Sequence, residues 1–173
     1  MKESIVKPAN GKLGVMCVGL GAVTTTTIIG TLMVRKGLAK PVGSFACEGI
    51  MRVGKGKEKC YKEVKDIIPI AELNDIVFGA WDLYEDDAYD AAVKAAVLKP
   101  QDVEPVKDEL KAIKPYKALF DKNYASNIDG PNVKTGDSRW DLTEQLREDI
   151  RNFKKENGCE RVVVIWIAST EKY

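Results

Sequence analysis

The sequence predicts a doubly wound α/β domain built on a parallel sheet. Two observations carry that expectation. Short apolar runs stand at Leu13–Val18, Asp75–Ala80 and Arg161–Ala168, and helical patterns follow the first two and precede the third. Runs without polar alternation suit strands buried on both faces, and strands alternating with helices specify a parallel sheet covered on both sides by right-handed crossovers.

Taken in order, Leu13–Val18 is the first strand and Gly19–Gly21 the turn after it. Ile28, Ile29, Leu32 and Met33 then recur at helical spacing until Gly37, a stop signal behind Arg35 and Lys36. Between Pro41 and Val53 only Ser44–Cys47 has the composition of a short strand, and Lys55–Lys65 is lysine-rich and weakly patterned. Asp75–Ala80 is the second buried strand. Trp81 and Asp82 follow it, then an alanine-rich helix from Asp86 to Ala96, and Val103–Ile113 is expected to be a further helix with Pro105 in its first turn. Pro115–Ser138 lacks periodicity and reads as a long loop. Asp141–Glu144 resembles an acidic capping box, Leu142, Leu146, Ile150 and Phe153 line one face of the helix it opens, and Gly158 ends that helix. Arg161–Ala168 is the clearest strand and runs into Ser169–Thr170–Glu171. A full dinucleotide fold has about six strands, so three strands make the domain look incomplete at its C-terminus.

A chain of 173 residues with 45% apolar content is expected to form one globular domain. With 27 basic against 26 acidic residues it has no global field that steers it toward nucleic acid. Its apolar stretches fall short of the roughly 20 residues that span a bilayer, and no signal-peptide core precedes Gly11, so a soluble, cytoplasmic chain with no membrane partner is expected. The absence of histidine removes Ser-His triads, Cys-His nucleophiles and the commonest transition-metal ligand. Cys17, Cys47, Cys60 and Cys159 lack C-x-x-C spacing and read as reduced, structural thiols. No catalytic or metal-binding residue is assigned.

Gly19-Leu20-Gly21-Ala22-Val23-Thr24 matches the first two glycines of G-x-G-x-x-G, in the strand–turn–helix context that gives the motif meaning. Gly19 allows the tight turn, Gly21 lets the backbone approach a pyrophosphate, and the helix N-terminus supplies N–H groups and positive dipole. Thr24 stands where the third glycine would let helix and strand pack closely. The threonine run Thr24–Thr27 offers hydroxyls near the helix start, with Thr26 and Thr27 read as structural. The acid usually found about 20 residues on is missing. Glu48 is the nearest candidate, and Arg52, Lys55 and Lys57 could instead take a 2′-phosphate, which leaves NADP open beside NAD. Gly49–Gly56 is one residue from a P-loop, but Gly56 replaces the magnesium-binding hydroxyl and no helix signal follows, so triphosphate hydrolysis is not expected.

The strand ends Gly19–Thr24, Trp81–Asp82 and Ser169–Glu171 share the carboxyl edge of the sheet, where open α/β domains bind ligands. Asp82 suits either ribose hydroxyls or the cap of the next helix, and Ser169–Thr170 either a cofactor contact or a plain turn.

In this order, Gly19–Gly21, Asp75–Asp82, Leu146–Lys154 and Val164–Glu171, the last close to a W-T-A-N-T-E strand end, the chain resembles the inositol-3-phosphate synthases. The resemblance implies a Rossmann-like NAD-binding domain with NAD as cofactor, held at Gly19, Gly21, Ala22, Val23, Thr24, Thr25, Asp82, Ile167, Ala168, Ser169 and Thr170. It also implies conversion of glucose 6-phosphate to inositol 3-phosphate by internal redox, enolisation and aldol ring closure, in a homotetrameric enzyme of inositol and phospholipid biosynthesis. Many members read G-x-G-G-N-N-G, so Ala22–Thr25 here keep backbone contacts and lose asparagine side chains. The family's catalytic lysines and tetramer-forming sheet have no counterpart in residues 1–173, so this chain alone is expected to be inactive. Rival readings are another NAD(P)-dependent oxidoreductase and a non-catalytic NAD-binding module.

Overall fold

The structure, a computed structural model, describes residues 10–123, 126 and 128–168. The first strand, β1 (Lys12–Val18), leads through the glycine turn into α1 (Ala22–Arg35). A small excursion follows, made of α2 (Phe45–Glu48) and an antiparallel ribbon of β2 (Ile50–Val53) and β3 (Cys60–Glu63). The chain then returns to the sheet as β4 (Ile76–Asp82) and continues with α3 (Ala88–Ala95), α4 (Pro100–Val103), α5 (Lys107–Lys111) and β5 (Tyr116–Lys117). Last come α6 (Arg139–Glu156) and β6 (Cys159–Trp166).

Four strands form one parallel sheet in the order β5-β4-β1-β6. The expected doubly wound architecture is present, and the register explains its two cores. Cys17 and Ala80 pair across β1 and β4 and face α1, whose buried stripe is Ile28, Ile29 and Leu32, with Ala88 and Ala92 of α3 in the same cluster. Met16 and Trp81 lie on the opposite face with Phe153 of α6. Arg35, the last residue of α1, donates to the carbonyls of Leu73 and Ile76 and ties the helix end to the start of β4.

Several local expectations give way to physical detail. Ser44–Cys47 is not a strand: Ser44 Oγ accepts the Cys47 N–H at 3.3 Å and caps α2. The helix expected over Val103–Ile113 is broken into α4, a 3-10 turn at Glu104–Val106 and α5. Pro105 falls six residues into a helix begun by Pro100, where a missing N–H and a ring clash stop propagation. The cap of α6 is Ser138, whose Oγ accepts the Asp141 N–H at 3.1 Å, so the helix starts ahead of the expected Asp141 box. The Pro115–Ser138 segment is not wholly a loop, since it contributes β5 and a bridge between Ala118 and Val133. The near-P-loop Gly49–Gly56 is β2 and its turn, with Gly54 and Gly56 at positive φ and only a 3-10 turn after them.

Candidate functional site

The chain leaves β1 toward β4 and β5 on one side and later places β6 on the other. The carboxyl ends of β1 and β6 therefore flank the switch point of the sheet, where such folds bind ligands. The glycine turn lies there. Gly19 has φ +98°, and a Cβ on it would come within 3.0 Å of the Ala168 backbone, so both conformation and crowding demand glycine. Its N–H donates to the Trp81 carbonyl at 2.9 Å, and the Ile167 N–H donates to the Val18 carbonyl at 3.0 Å. These bonds bring the expected residues Gly19, Ile167 and Ala168 to one edge. Ser169 and Thr170, also expected at the cofactor, lie outside the described residues.

Gly21 differs from Gly19: among the described residues, its chain neighbours aside, nothing lies within 4 Å of where its Cβ would be. It is the N-cap of α1 and gives no side-chain cap, and the first turn of α1 has no acidic residue. By contrast α3 is capped by Asp87, which accepts from Tyr89 and Asp90, and α6 by Ser138. The early N–H groups of a helix have no intrahelical acceptor, so α1 presents donors and positive dipole to open space. Such a helix end is a ready site for an anion. Ala22 and Val23 are exposed at this end of the helix, as a backbone contact to an anion requires.

Thr24 and Thr25 sit beneath the turn, 1% and 2% exposed. Thr24 Oγ1 donates to the Gly19 carbonyl at 2.7 Å and Thr25 Oγ1 to the Gly21 carbonyl at 3.0 Å. The Thr25 N–H also closes onto the Gly21 carbonyl. The hydroxyl that replaces the third glycine thus shapes the loop from below and is not presented to a ligand. Thr27, read as structural, donates to the Val23 carbonyl at 2.8 Å.

Asp82 ends β4 beside the turn. Its Oδ2 accepts the Leu20 N–H at 2.6 Å and its Oδ1 the Tyr84 N–H at 3.0 Å. It does not cap α3, which Asp87 does. The α2–β2–β3 excursion separates α1 from the next sheet strand, so Asp82 at the end of that strand comes 62 residues after Leu20. Leu20, Gly21, Ala22, Asp82, Tyr84, Asp86 and Lys94 border a cleft of about 470 Å³.

Sequence reasoning missed the supports of this edge. Asn132, 5% exposed, donates through Nδ2 to the Asp82 carbonyl at 2.9 Å and the Tyr116 carbonyl at 3.3 Å, while its N–H donates to the Leu83 carbonyl. Asp149 of α6 accepts Trp81 Nε1 at 2.7 Å and pairs with Lys134 Nζ at 2.8 Å. Asp149 lies in the Leu146–Lys154 stretch that carried the resemblance, which was its only sequence signal; Asn132 had none in an aperiodic segment. Among the described residues no group of three or more Cys, Asp or Glu could hold a metal, and no helix is long and apolar enough to cross a membrane.

The parallel sheet, the glycine turn at its switch point and the uncapped helix behind it define a Rossmann-like α/β domain. A family model for an NAD-binding domain, described as myo-inositol-1-phosphate synthase, matches residues 13–173, and the chain belongs to that family. It is 55% identical to inositol-3-phosphate synthase 1 of Bacteroides thetaiotaomicron, over all of this chain and 40% of that protein. It is 32% identical to inositol-3-phosphate synthase 1 of Oryza sativa over 94% of this chain and 35% of that protein. The crystal structure of inositol-3-phosphate synthase from Caenorhabditis elegans superposes with a TM-score of 0.82 at 27% identity, covering 95% of this chain and 35% of that one. The chain thus spans about two fifths or less of the relatives it matches.

Proposed function

We propose that this chain is the N-terminal, NAD-holding part of an inositol-3-phosphate synthase that converts glucose 6-phosphate to 1D-myo-inositol 3-phosphate. The observation that carries the reading is the α1 N-terminus: uncapped, free of acid in its first turn, and fronted by a glycine that faces open space. In this reading the backbone of Gly21, Ala22 and Val23 receives the pyrophosphate, and Gly19, Thr24 and Thr25 hold the turn in shape. Asp82 meets the adenosine ribose with the lone pairs left after it braces Leu20 and Tyr84, and Ile167–Thr170 border the cofactor. NAD would take a hydride from the sugar phosphate and return it before product leaves, with enolisation and aldol closure between. The lysines for those steps and the tetramer interface are assigned to the parts of its relatives that residues 1–173 do not cover. The same reading makes the enzyme a cytoplasmic homotetramer of inositol and phospholipid biosynthesis, with a small-molecule substrate and neither nucleic acid nor membrane as partner.

The experiment pairs Gly21→Val with the unsubstituted full-length protein. A Cβ there meets no atom of the described residues beyond its chain neighbours, so the thermal midpoint is expected to change little, while NAD affinity measured by calorimetry falls by about 100-fold or more as the pyrophosphate loses its approach. Undiminished NAD binding would overturn the site. Glucose 6-phosphate should be consumed with no net NADH; steady accumulation of NADH would favour an ordinary dehydrogenase.

A further inference from the structure

We propose that Asp86 sets the preference for NAD over its 2′-phosphorylated form by masking Lys94, an inference that rests on the dinucleotide reading of the glycine-turn cleft. That cleft is bordered by three charged side chains, Asp82, Asp86 and Lys94. Asp82 engages the backbone with both oxygens, as described. Lys94 is a cation on α3 at the rim, where its charge could receive a 2′-phosphate as a nearby arginine does in other dinucleotide folds. Here its Nζ lies 2.6 Å from Oδ1 and 2.6 Å from Oδ2 of Asp86. The pairing holds the Lys94 ammonium above the usual lysine range, chiefly through the hydrogen bond to Asp86. The lysine side chain is 68% exposed and that of Asp86 27%, so the pair stands open to whatever enters the cleft.

The charge balance gives the sign. Two carboxylates and one ammonium leave the cleft net negative, and the ammonium is already paired. A 2′-phosphate bears roughly −1.5 to −2 charges at neutral pH, so it would have to draw Lys94 away from Asp86 and then lie beside both carboxylates. A ribose hydroxyl meets no such opposition, since carboxylates accept from it. Neutralising Asp86 would release the ammonium from its hydrogen bond, leaving Asp90 as its more distant carboxylate neighbour, and remove one of the two carboxylate charges that border the cleft.

The test measures NAD and NADP affinities by calorimetry on the full-length protein, for the parent, Asp86→Asn, and Asp86→Asn combined with Lys94→Met. The parent is expected to prefer NAD. Asp86→Asn should shift the NADP-to-NAD affinity ratio toward NADP by about tenfold or more, less at high salt, and adding Lys94→Met should bring it back to within about threefold of the parent. A parent that binds NAD while Asp86→Asn leaves the ratio unchanged overturns the masking alone. So does a shifted ratio that survives Lys94→Met. A parent that binds neither dinucleotide overturns the cleft reading itself.

Discussion

Asn132 joins the end of β4, the start of β5 and the returning segment through one side chain and its own backbone. Replacing it with alanine leaves inward carbonyls without their donor, an expected loss of about 1–3 kcal/mol in unfolding free energy by urea titration. Asn132→Asp should be worse, because a carboxylate would face carbonyl oxygens. As Asp82 precedes the loop that Asn132 holds, NAD affinity should fall with stability in both variants. The thiols give a second test at this scale. Burial pushes the Cys17 thiol up, opposed by a hydrogen bond with Thr24, and burial pushes Cys159 up against nearby Lys12 and Lys154. Cys60 is exposed and Cys47 half-buried. Thiol labelling of the native protein should therefore modify Cys60 first and leave Cys17 and Cys159 until unfolding. Because folding favours their protonated forms, the stability these two thiols add is full below the ordinary thiol value of 9.0 and is lost as pH rises above it. The sequence marks Cys17 and Cys47 alike by their apolar neighbours, yet of the two only Cys17 is buried, and the sequence carries no sign of the burial of Cys159.

At the scale of elements, α6 is seated by a missing pair of Cβ atoms. Phe153 lies over Gly14 of β1 and Gly79 of β4, and a Cβ on either would come within 2.7 Å of its ring. Gly79→Ala should cost about 1–3 kcal/mol by overpacking, and Phe153→Leu in the same chain should recover part of that loss, both read from the urea midpoint. Neither glycine looked like a packing position in sequence, because each sits inside a strand where glycine ordinarily weakens pairing. The elements that were legible are those with consistent patterns: β1, α1, β4, α3, the body of α6 and β6, the last ending at Trp166 rather than Ala168. Those that were not are short or broken by one residue, as Ser44 capped α2 and Pro105 divided α4 from α5.

For the molecule as a whole, β6 is the longer of the two edge strands of the described sheet, opposite the two-residue β5. Val163, Val164, Ile165 and Trp166 are between 42% and 68% exposed, on both faces of the strand. An apolar, unpaired parallel edge invites pairing with other chains. Residues 1–173 expressed alone are expected to self-associate, measured by sedimentation, and Ile165→Lys should lower that association without lowering the urea midpoint. A monodisperse monomer at high concentration would contradict this. In the full-length relatives more than half of the chain lies outside the matched region, and the same edge is suited to a further strand.

By itself the sequence determined the parallel α/β class, the glycine turn at the end of β1, and the membership that four ordered motifs implied, since apolar periodicity and glycine placement are local signals. The tertiary structure alone decided what each turn residue does. It placed the Thr24 and Thr25 hydroxyls under the loop, paired Asp86 with Lys94, and brought Asp82 to Leu20 across 62 residues. Those relations depend on which strands are neighbours, and strand order follows from burying both sheet faces at once, a condition no local pattern encodes.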